Sequence, residues 1–218
     1  MWKEPLYPRS ANAIYWVAIG GVALSVVGVP AFFLVWARTP YSTGSQEPAM
    51  QPVKFDHRHH VRDDGIDCMY CHGAARTTPF AGVPPTSLCM NCHNQIWTTS
   101  PELAAVRESY FAGTPLHWNR VNSLPDFVFF NHSIHVNKGV GCVTCHGRVD
   151  EMGQVYAAKP LTMGWCLDCH RAPEKHLRPL DKITDMEWQP TRPQLEVGRE
   201  LRAEFGVRSI VDCSGCHR

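Results

Sequence analysis

All ten cysteines of the chain fall into five Cys-x-x-Cys-His groups, and this pattern constrains the fold more than any other feature. The groups are Cys68/Cys71/His72, Cys89/Cys92/His93, Cys142/Cys145/His146, Cys166/Cys169/His170 and Cys213/Cys216/His217. Two thiols at this spacing can form thioethers to the two vinyl groups of one porphyrin, and the adjacent histidine can bind its iron as the proximal ligand. A zinc knuckle or a redox dithiol would not need a histidine after every second cysteine. The pattern therefore predicts five covalently bound c-type haems and leaves no cysteine for a disulfide.

An apolar segment near the N-terminus predicts a membrane anchor. Residues 14–36, IYWVAIGGVALSVVGVPAFFLVW, contain no charged residue and are long enough to cross a bilayer as a helix. Pro30 lies inside the segment and predicts a kink, which a membrane helix tolerates. A cleaved signal peptide is the alternative, but the run exceeds the usual apolar core and no small-x-small cleavage site follows it. We therefore predict one uncleaved transmembrane helix.

The haem groups decide the expected orientation. Lys3 and Arg9 precede the helix, but Arg38 on the far side weakens the positive-inside argument. Because c-type haem is attached outside the cytoplasmic membrane, the chain beyond the helix is predicted to be periplasmic, on a single-pass protein of the bacterial inner membrane. The predicted regions are a cytoplasmic N-terminus over 1–13, the transmembrane helix over 14–36, a Pro- and Ser-rich linker over 37–54 and a pentahaem domain over 55–218.

The pentahaem domain contains an internal repeat. Phe55-Asp56-His57-Arg58-His59-His60 aligns with Phe130-Asn131-His132-Ser133-Ile134-His135, and each copy is followed by two Cys-x-x-Cys-His groups. The first repeat covers about 55–100 and the second about 130–175, while the fifth group stands alone within about 193–218. The chain is thus predicted to hold two similar two-haem units and one further haem.

The repeat predicts four distal iron ligands. His57 and His60 recur as His132 and His135, whereas His59 has no counterpart and is predicted to be a solvated bystander. Histidines at i and i+3 lie on one side of a helical turn, so each can reach a different iron. By proximity, His57 is assigned to the haem at Cys68 and His132 to the haem at Cys142. His60 and His135 would then reach the second or a more distant haem.

The fifth distal ligand is left open between four residues. We favour His117, which lies between the repeats beside Trp118. The alternatives are Met163, Met152 and His176. A methionine ligand would raise the potential of its haem above that of a bis-histidine haem.

Secondary structure is expected to be sparse, so the fold class is a mostly irregular and α-helical multihaem cytochrome c with a haem-dominated core. Ser100-Pro101-Glu102 predicts a helix start, and Gly113 a stop. Leu103, Val106 and Tyr110 give this helix an apolar stripe. A second helix is predicted from about Pro193 to Phe205.

The number of histidines available as axial iron ligands predicts electron transfer and no catalytic residue. A haem enzyme needs an iron with an open position, whereas the histidines outside the five groups suffice to close every iron. Pentahaem nitrite reductases carry a Cys-x-x-Cys-Lys group at the active haem, and no such group occurs here. A terminal redox enzyme with one open haem is the third-ranked alternative. The formal charge of +1 and the absence of a basic patch predict no nucleic-acid partner.

Two stretches carry a family resemblance. LPDFVFFNHSIHVNKGVGCVTCHG, residues 124–147, and PLTMGWCLDCHRAPE, residues 160–174, together with the anchor and the 55–93 block, resemble the pentahaem cytochrome c subunit of alternative complex III. The Phe-x-His-x-x-His and haem spacing is also similar to that of class III multihaem cytochromes. The resemblance covers most of the chain, and it is least diagnostic over 38–54 and 175–205.

The resemblance implies a role as an electron relay within a quinol:electron acceptor oxidoreductase. It implies as partners integral membrane quinol-oxidising subunits, an iron–sulfur subunit and a monohaem cytochrome c subunit, with a periplasmic cytochrome c or copper protein as acceptor. A single helix without a membrane-depth acid or histidine makes no quinol pocket by itself, so the quinol site is expected in polytopic partners. The runner-up is a quinol dehydrogenase of the NapC/NrfH family, which usually carries four haems and feeds a periplasmic reductase.

Overall fold

A computed structural model describes residue 8 and residues 10–217 of the chain. The chain forms two compact units, of which the first ends at Gly44 and the second begins at Ser45. Of the predicted cytoplasmic segment, Lys3 and Arg9 lie outside the described residues.

One nearly continuous helix makes up most of the first unit. Its parts are α1 (Ser10–Ala23), a π-helical turn (Leu24–Gly28) and α2 (Val29–Trp36). Pro30 lacks a backbone N–H and its ring would clash with the carbonyl one turn earlier, which accounts for the wider turn just before it. The helix is 27 residues long, with a mean hydropathy of 2.2 and none of its most apolar stretch buried. By length and composition it can cross a membrane, and it starts earlier than the predicted residue 14. A short helix, α3 (Pro40–Thr43), follows.

The second unit consists of short helices joined by irregular chain. Its α-helices are α4 (Cys68–Cys71), α5 (Thr86–His93), α6 (Ala104–Ala112), α7 (His132–Asn137), α8 (Cys142–His146), α9 (Met163–Arg171) and α10 (Gln194–Glu204). Over the described range there is no β-strand, and the pairing is limited to isolated bridges such as Val128 with His217. The predicted mostly helical and irregular fold class is confirmed.

Local signals in the sequence located two of these helices. The Ser100 side chain accepts a hydrogen bond from the Glu102 N–H, a 3₁₀ turn follows, and α6 ends at Gly113 with φ of +65°. Glycine adopts this left-handed conformation without strain. The α10 helix lies within the predicted span from Pro193 to Phe205. Both helix predictions are confirmed.

Part of the segment predicted as a linker packs into the second unit. The Gln46 N–H donates to the Ala157 carbonyl at 2.8 Å, and Gln154 Nε2 donates to the Ala49 carbonyl at 2.7 Å. Val53 is buried in a cluster with Met90 and Leu103. Residues 45–54 therefore belong to the second unit and not to a separate linker.

The histidine segment of each repeat packs against the other repeat. The α7 helix lies on the 3₁₀ turn Gly73–Arg76, and the Asn137 Nδ2 donates to the Arg76 carbonyl at 2.8 Å. In return, the π-helical turn Arg58–Asp63 packs on the 3₁₀ turn Val149–Glu151. Each pair of predicted distal ligands is thus held in place by chain from the opposite repeat.

Candidate haem-binding sites

Each Cys-x-x-Cys-His group lies on a short helix or turn, and we number the groups site 1 to site 5 in chain order. Sites 1 to 4 lie on α4, α5, α8 and α9, and site 5 begins on the 3₁₀ turn Cys213–Gly215. Residues three apart share one side of a helical turn, so each pair of thiols faces the same way. At site 1 the Asp67 carboxylate fixes the helix start by accepting from the Met69 N–H at 2.7 Å. The local fold therefore presents each group as a unit.

Three pairs of imidazole rings face each other at nearly the same separation. The ring centroids are 6.1 Å apart for His60 and His93, 6.0 Å for His135 and His170, and 6.3 Å for His132 and His146. Two imidazoles on opposite sides of one metal ion, with metal–nitrogen bonds of about 2.0–2.1 Å, have centres roughly 6 Å apart. Each pair joins a histidine of the repeat to the last residue of a Cys-x-x-Cys-His group. The geometry therefore fits one iron at each of sites 2, 4 and 3.

Hydrogen bonds orient most of these rings. In six of the histidines, Nδ1 lies 2.8–3.3 Å from a backbone carbonyl oxygen. The pairs are His60 with Asp56, His72 with Gly82, His93 with Ile96, His132 with Ala75, His135 with Asn131 and His217 with Phe127. A ring that donates from Nδ1 keeps its lone pair on Nε2, which is then free to bind a metal. The polypeptide thus selects the tautomer that an iron ligand needs.

At site 3 a side-chain amide, instead of a backbone carbonyl, lies against the Nδ1 of the histidine. His146 Nδ1 lies 3.2 Å from the Asn122 Nδ2, while the Asn122 Oδ1 is buried without a hydrogen-bond partner within the described chain. Turning the amide by 180° places its oxygen on the ring nitrogen and satisfies the bond. We assign that orientation, in which His146 donates from Nδ1.

Burial keeps the histidines around sites 1 and 3 neutral. Removal from water lowers the pKa of His146 to about 4, with smaller contributions from His132 and His72. Burial, followed by the charges of His72 and His60, lowers the pKa of His57 to about 4. Neutral imidazole is the form that binds iron, so these rings are ready for ligation near pH 7.

The imidazole of His57 is close enough to that of His72 of site 1 for their charges to interact. Its buried Nδ1 has no hydrogen-bond partner among the residues that the structure describes. A buried polar atom without a partner is rare in a native fold. The described chain therefore does not fix the tautomer of His57 as it does for His60, His132 and His135.

Two phenylalanines of the repeat have a structural role that the sequence reasoning missed. Phe55 stacks on the ring of His60 at 4.3 Å, and Phe130 stacks on His135 at 4.6 Å. Each ring therefore packs one face of a predicted distal ligand and restricts its rotation. The first residue of the Phe-x-His-x-x-His repeat was the available signal, because it recurs as strictly as the histidines.

His59 lies in different surroundings from the predicted distal ligands His57 and His60. It is exposed, its Nε2 lies 3.6 Å from an Asp64 carboxylate oxygen, and its ring stacks on Trp97. The ring faces no attachment group at the separation seen for the three pairs above. This placement agrees with its expected role as a solvated residue.

The attachment thiols of sites 2, 1 and 3 are neighbours. The thiol of Cys68 lies near that of Cys142, and their interaction, ahead of burial, raises the pKa of Cys68. Burial, followed by the nearby thiols of Cys89 and Cys92, raises the pKa of Cys71. Site 1 therefore lies between site 2 and site 3.

The same relation links sites 3, 4 and 5. Burial raises the pKa of Cys145 to about 12, and Cys169 and Cys166 of site 4 contribute next. Burial, followed by Cys216 of site 5, raises the pKa of Cys166. Neighbouring thiols thus run in the order 2, 1, 3, 4, 5 across the unit.

Two comparisons with known proteins bear on these sites. Residues 128–218, which hold sites 3 to 5, match the model of cytochrome c7 and related cytochrome c. The chain is also 32% identical over 182 residues to the multihaem cytochrome c subunit of menaquinone reductase from Nitratidesulfovibrio vulgaris, covering 73% of this chain and 85% of that subunit. The chain belongs to this family of multihaem cytochromes c. Its cysteine pairs therefore serve covalent attachment of haem c, and the membrane helix candidate and the family together indicate membrane-associated electron transfer.

This multihaem cytochrome has a small apolar core of its own. Ten apolar side chains are buried among the described residues, a small set for a unit of this size. Large rings such as Phe80, Phe111 and Phe127 are instead 62–77% exposed. A small unit with so little core needs additional apolar surface to be stable. Porphyrins attached at the cysteine pairs fit this need, and each would supply a one-electron iron couple.

The four candidates for the fifth distal ligand lie in different surroundings. His117 is exposed, and the adjacent Trp118 packs against the buried cluster of Val53, Met90 and Leu103, as Cys89 of site 2 also does. Met152 is buried beside Gly147, next to site 3. His176 is half-buried, and Met163 is 61% exposed at the start of α9.

Site 5 itself has an aromatic neighbour. The ring of Phe127 lies 5.8 Å from that of His217, tilted by 33°, and the Phe127 carbonyl accepts from the His217 Nδ1. The Cys166 thiol, three residues after Met163 and one helical turn along α9, is close to Cys216. Met163 thus lies one helical turn from a thiol that is close to site 5.

Proposed function

We propose that the chain carries five haems, one at each site, and conducts single electrons along them in the order 2, 1, 3, 4, 5. The observation that carries the proposal is the continuous series of neighbouring thiols, of which Cys92 and Cys213 are the exposed ones. These two cysteines lie at the two ends of the series. Redox partners can therefore approach sites 2 and 5, while sites 1, 3 and 4 relay electrons between them.

The ring pairs support bis-histidine ligation of four irons. In this proposal His60 binds the iron of site 2, His132 that of site 3 and His135 that of site 4, as the ring separations of 6.0–6.3 Å favour. His57 then serves site 1, beside His72. With both axial positions filled, these irons have no position for a substrate, and the proposed activity is electron transfer alone.

For site 5 we propose Met163 as the distal ligand in place of His117. Replacing Met163 with leucine, which keeps the apolar volume, should leave the haem attached but five-coordinate, because leucine has no donor atom. One haem in five should become high-spin and bind carbon monoxide after reduction. Visible absorption and electron paramagnetic resonance spectra of the purified chain measure both changes.

The matched control for this ligand assignment is His117→Ala. That variant should keep the wild-type spectrum, because His117 lies near site 2 and is exposed. A high-spin haem in His117→Ala together with an unchanged Met163→Leu spectrum would reverse the assignment and restore the choice made from sequence.

We propose that this relay works within a membrane-bound quinol:electron acceptor oxidoreductase of the alternative complex III type, with its haem unit on the periplasmic side. The polytopic quinol-oxidising subunits, the iron–sulfur subunit and the monohaem cytochrome c of such a complex would be its partners. A periplasmic cytochrome c or copper protein would be the final acceptor. The apolar helix Ser10–Trp36 supports the membrane location, and it contains no acid or histidine for a quinol site of its own.

A second candidate reverses the direction of flow. The relative from Nitratidesulfovibrio vulgaris is named for a menaquinone reductase, which suggests that a haem chain of this kind can also deliver electrons to a quinone. The haem ligation proposed above suits either direction. The potentials of the two end haems relative to the quinone pool would decide between them.

The deciding experiment is purification from native membranes in mild detergent, followed by assays in both directions. Co-purification with polytopic and iron–sulfur subunits, together with quinol-dependent reduction of added cytochrome c, would support the first candidate. Quinone reduction by a reduced periplasmic cytochrome would support the second. Isolation as a pair with a soluble periplasmic reductase would refute both and move the chain to the NapC/NrfH class.

A further inference from the structure

Arg178 is a buried cation beside site 3. Its side chain is 8% exposed, and its Nη1 donates to the backbone carbonyls of Lys182 at 3.2 Å and Asp185 at 2.8 Å. The guanidinium carbon lies 5.1 Å from the centre of the Trp188 ring, within the range of a cation–π interaction. Carbonyl dipoles and an aromatic face therefore hold the charge in a fixed position.

The guanidinium lies directly against the attachment segment of site 3. A Cβ added to Gly141 would be 2.3 Å from the Arg178 Nε and 2.5 Å from its Cζ, so glycine is needed next to Cys142. Backbone hydrogen bonds fix the same approach, from the Arg178 N–H to the Gly139 carbonyl at 2.9 Å and from the Cys142 N–H to the Ile183 carbonyl at 3.0 Å. These bonds hold the two backbone segments together, while the carbonyls of Lys182 and Asp185 hold the guanidinium.

Arg178 forms no ion pair with a residue that the structure describes. Within the described part of the chain, no carboxylate lies at ion-pair distance from Arg178, and its Nε is buried without an acceptor. Burial lowers the pKa of Arg178, while the more distant charges of Cys142 and Asp185 raise it. The guanidinium remains protonated at any physiological pH, because arginine does not lose its proton in proteins.

We propose that Arg178 raises the reduction potential of the haem at site 3. This inference rests on the proposed function, which attaches a haem at Cys142 and Cys145 with His146 as proximal ligand. An oxidised haem iron with two neutral imidazoles carries one more positive charge than the reduced iron. A fixed cation nearby therefore disfavours oxidation, and its effect is stronger at a buried position than in water. The haem at site 3 thereby holds its electron more firmly than it would without this charge.

Replacing Arg178 with glutamine removes the charge and keeps most of the side-chain volume. In the full-length haem-loaded protein in detergent, one of the five one-electron steps should move to more negative potential in a spectroelectrochemical titration. A charge at this range shifts the reduced-to-oxidised ratio of that haem by roughly tenfold. Arg178→Lys retains the charge and should leave all five steps in place. Arg192→Gln is the control for an exposed arginine, which is ion-paired to Glu200.

A second pair of variants tests the charge with Arg178 left in place. Trp188→Glu sets a carboxylate beside the guanidinium and should reproduce the negative shift, whereas Trp188→Gln should not. Unchanged potentials in both Arg178→Gln and Trp188→Glu would overturn the inference. The intact mass of the wild-type protein separates this failure from that of the proposed function. Fewer than five attached haems would refute the proposed function, whereas unchanged potentials with five attached haems would refute only the inference on Arg178.

Discussion

Replacing His135 with alanine is expected to turn the haem at site 4 from low-spin to high-spin and to leave the other haems unchanged. The His135 ring faces His170 at 6.0 Å, and its Nδ1 is anchored on the Asn131 carbonyl at 2.8 Å. Alanine removes this ligand, while Cys166, Cys169 and His170 still hold the haem. The reduced variant should then bind about one equivalent of carbon monoxide, because the site 4 iron has lost one of its two axial ligands.

The matched control is His59→Ala in the first repeat. His59 is a histidine of the same domain, but it is paired with acidic side chains and Trp97 instead of an attachment group. Its removal should leave every haem low-spin and inert to carbon monoxide. Electron paramagnetic resonance and difference absorption spectra distinguish the variants. A wholly low-spin His135→Ala protein with five haems attached would show that the ring pair at site 4 does not bind iron.

Replacing Gly198 with alanine is expected to lower the free energy of unfolding by roughly 2 kcal/mol, the scale of overpacking in a close-packed core. A Cβ at this position would lie 1.8 Å from the Glu174 carbonyl oxygen and 2.6 Å from its carbon, both of them backbone atoms. The helix α10 must therefore move away from the turn Pro173–Lys175 that follows site 4. The better helix propensity of alanine, about 1 kcal/mol, recovers only part of that cost.

Urea unfolding of the haem-loaded protein in detergent, followed by circular dichroism, measures this loss. The control is Arg199→Ala, which changes the next residue of the same helix at an exposed position and should alter stability by less than about 0.5 kcal/mol. The Gln194 Nε2 donates to the carbonyls of Glu174 and Leu177, so the shifted helix should also strain this anchor. Equal stability of the two variants would contradict the close contact at Gly198.

Much of the site was predictable because its chemistry is local in sequence. The Cys-x-x-Cys-His groups need no tertiary structure to be recognised, and the recurrence of His57 and His60 as His132 and His135 identified the candidate ligands. The caps at Ser100 and Gly113 likewise act over one helical turn and were read correctly.

What could not be predicted depends on packing between distant segments. Nothing in the local sequence says that His60 faces His93 of its own repeat, since i and i+3 spacing allows several partners. The choice of Met163 over His117 depends on which helix adjoins Cys216, a tertiary relation. Arg178 gave no signal at all, because its importance comes from the glycine and the ring that the fold brings to it.

The reciprocal packing of the two repeats has a consequence for how the protein is made. The chain leaves the ribosome N-terminal part first, so the first repeat is made before the second. The π-helical turn of the first repeat nevertheless rests on Val149–Glu151, and the turn after its first haem group is covered by α7. With the haem unit on the proposed periplasmic side, the first repeat would therefore complete its packing only after the second has been exported. A chain truncated after the first repeat would be a substrate for maturation but would not become a folded two-haem protein.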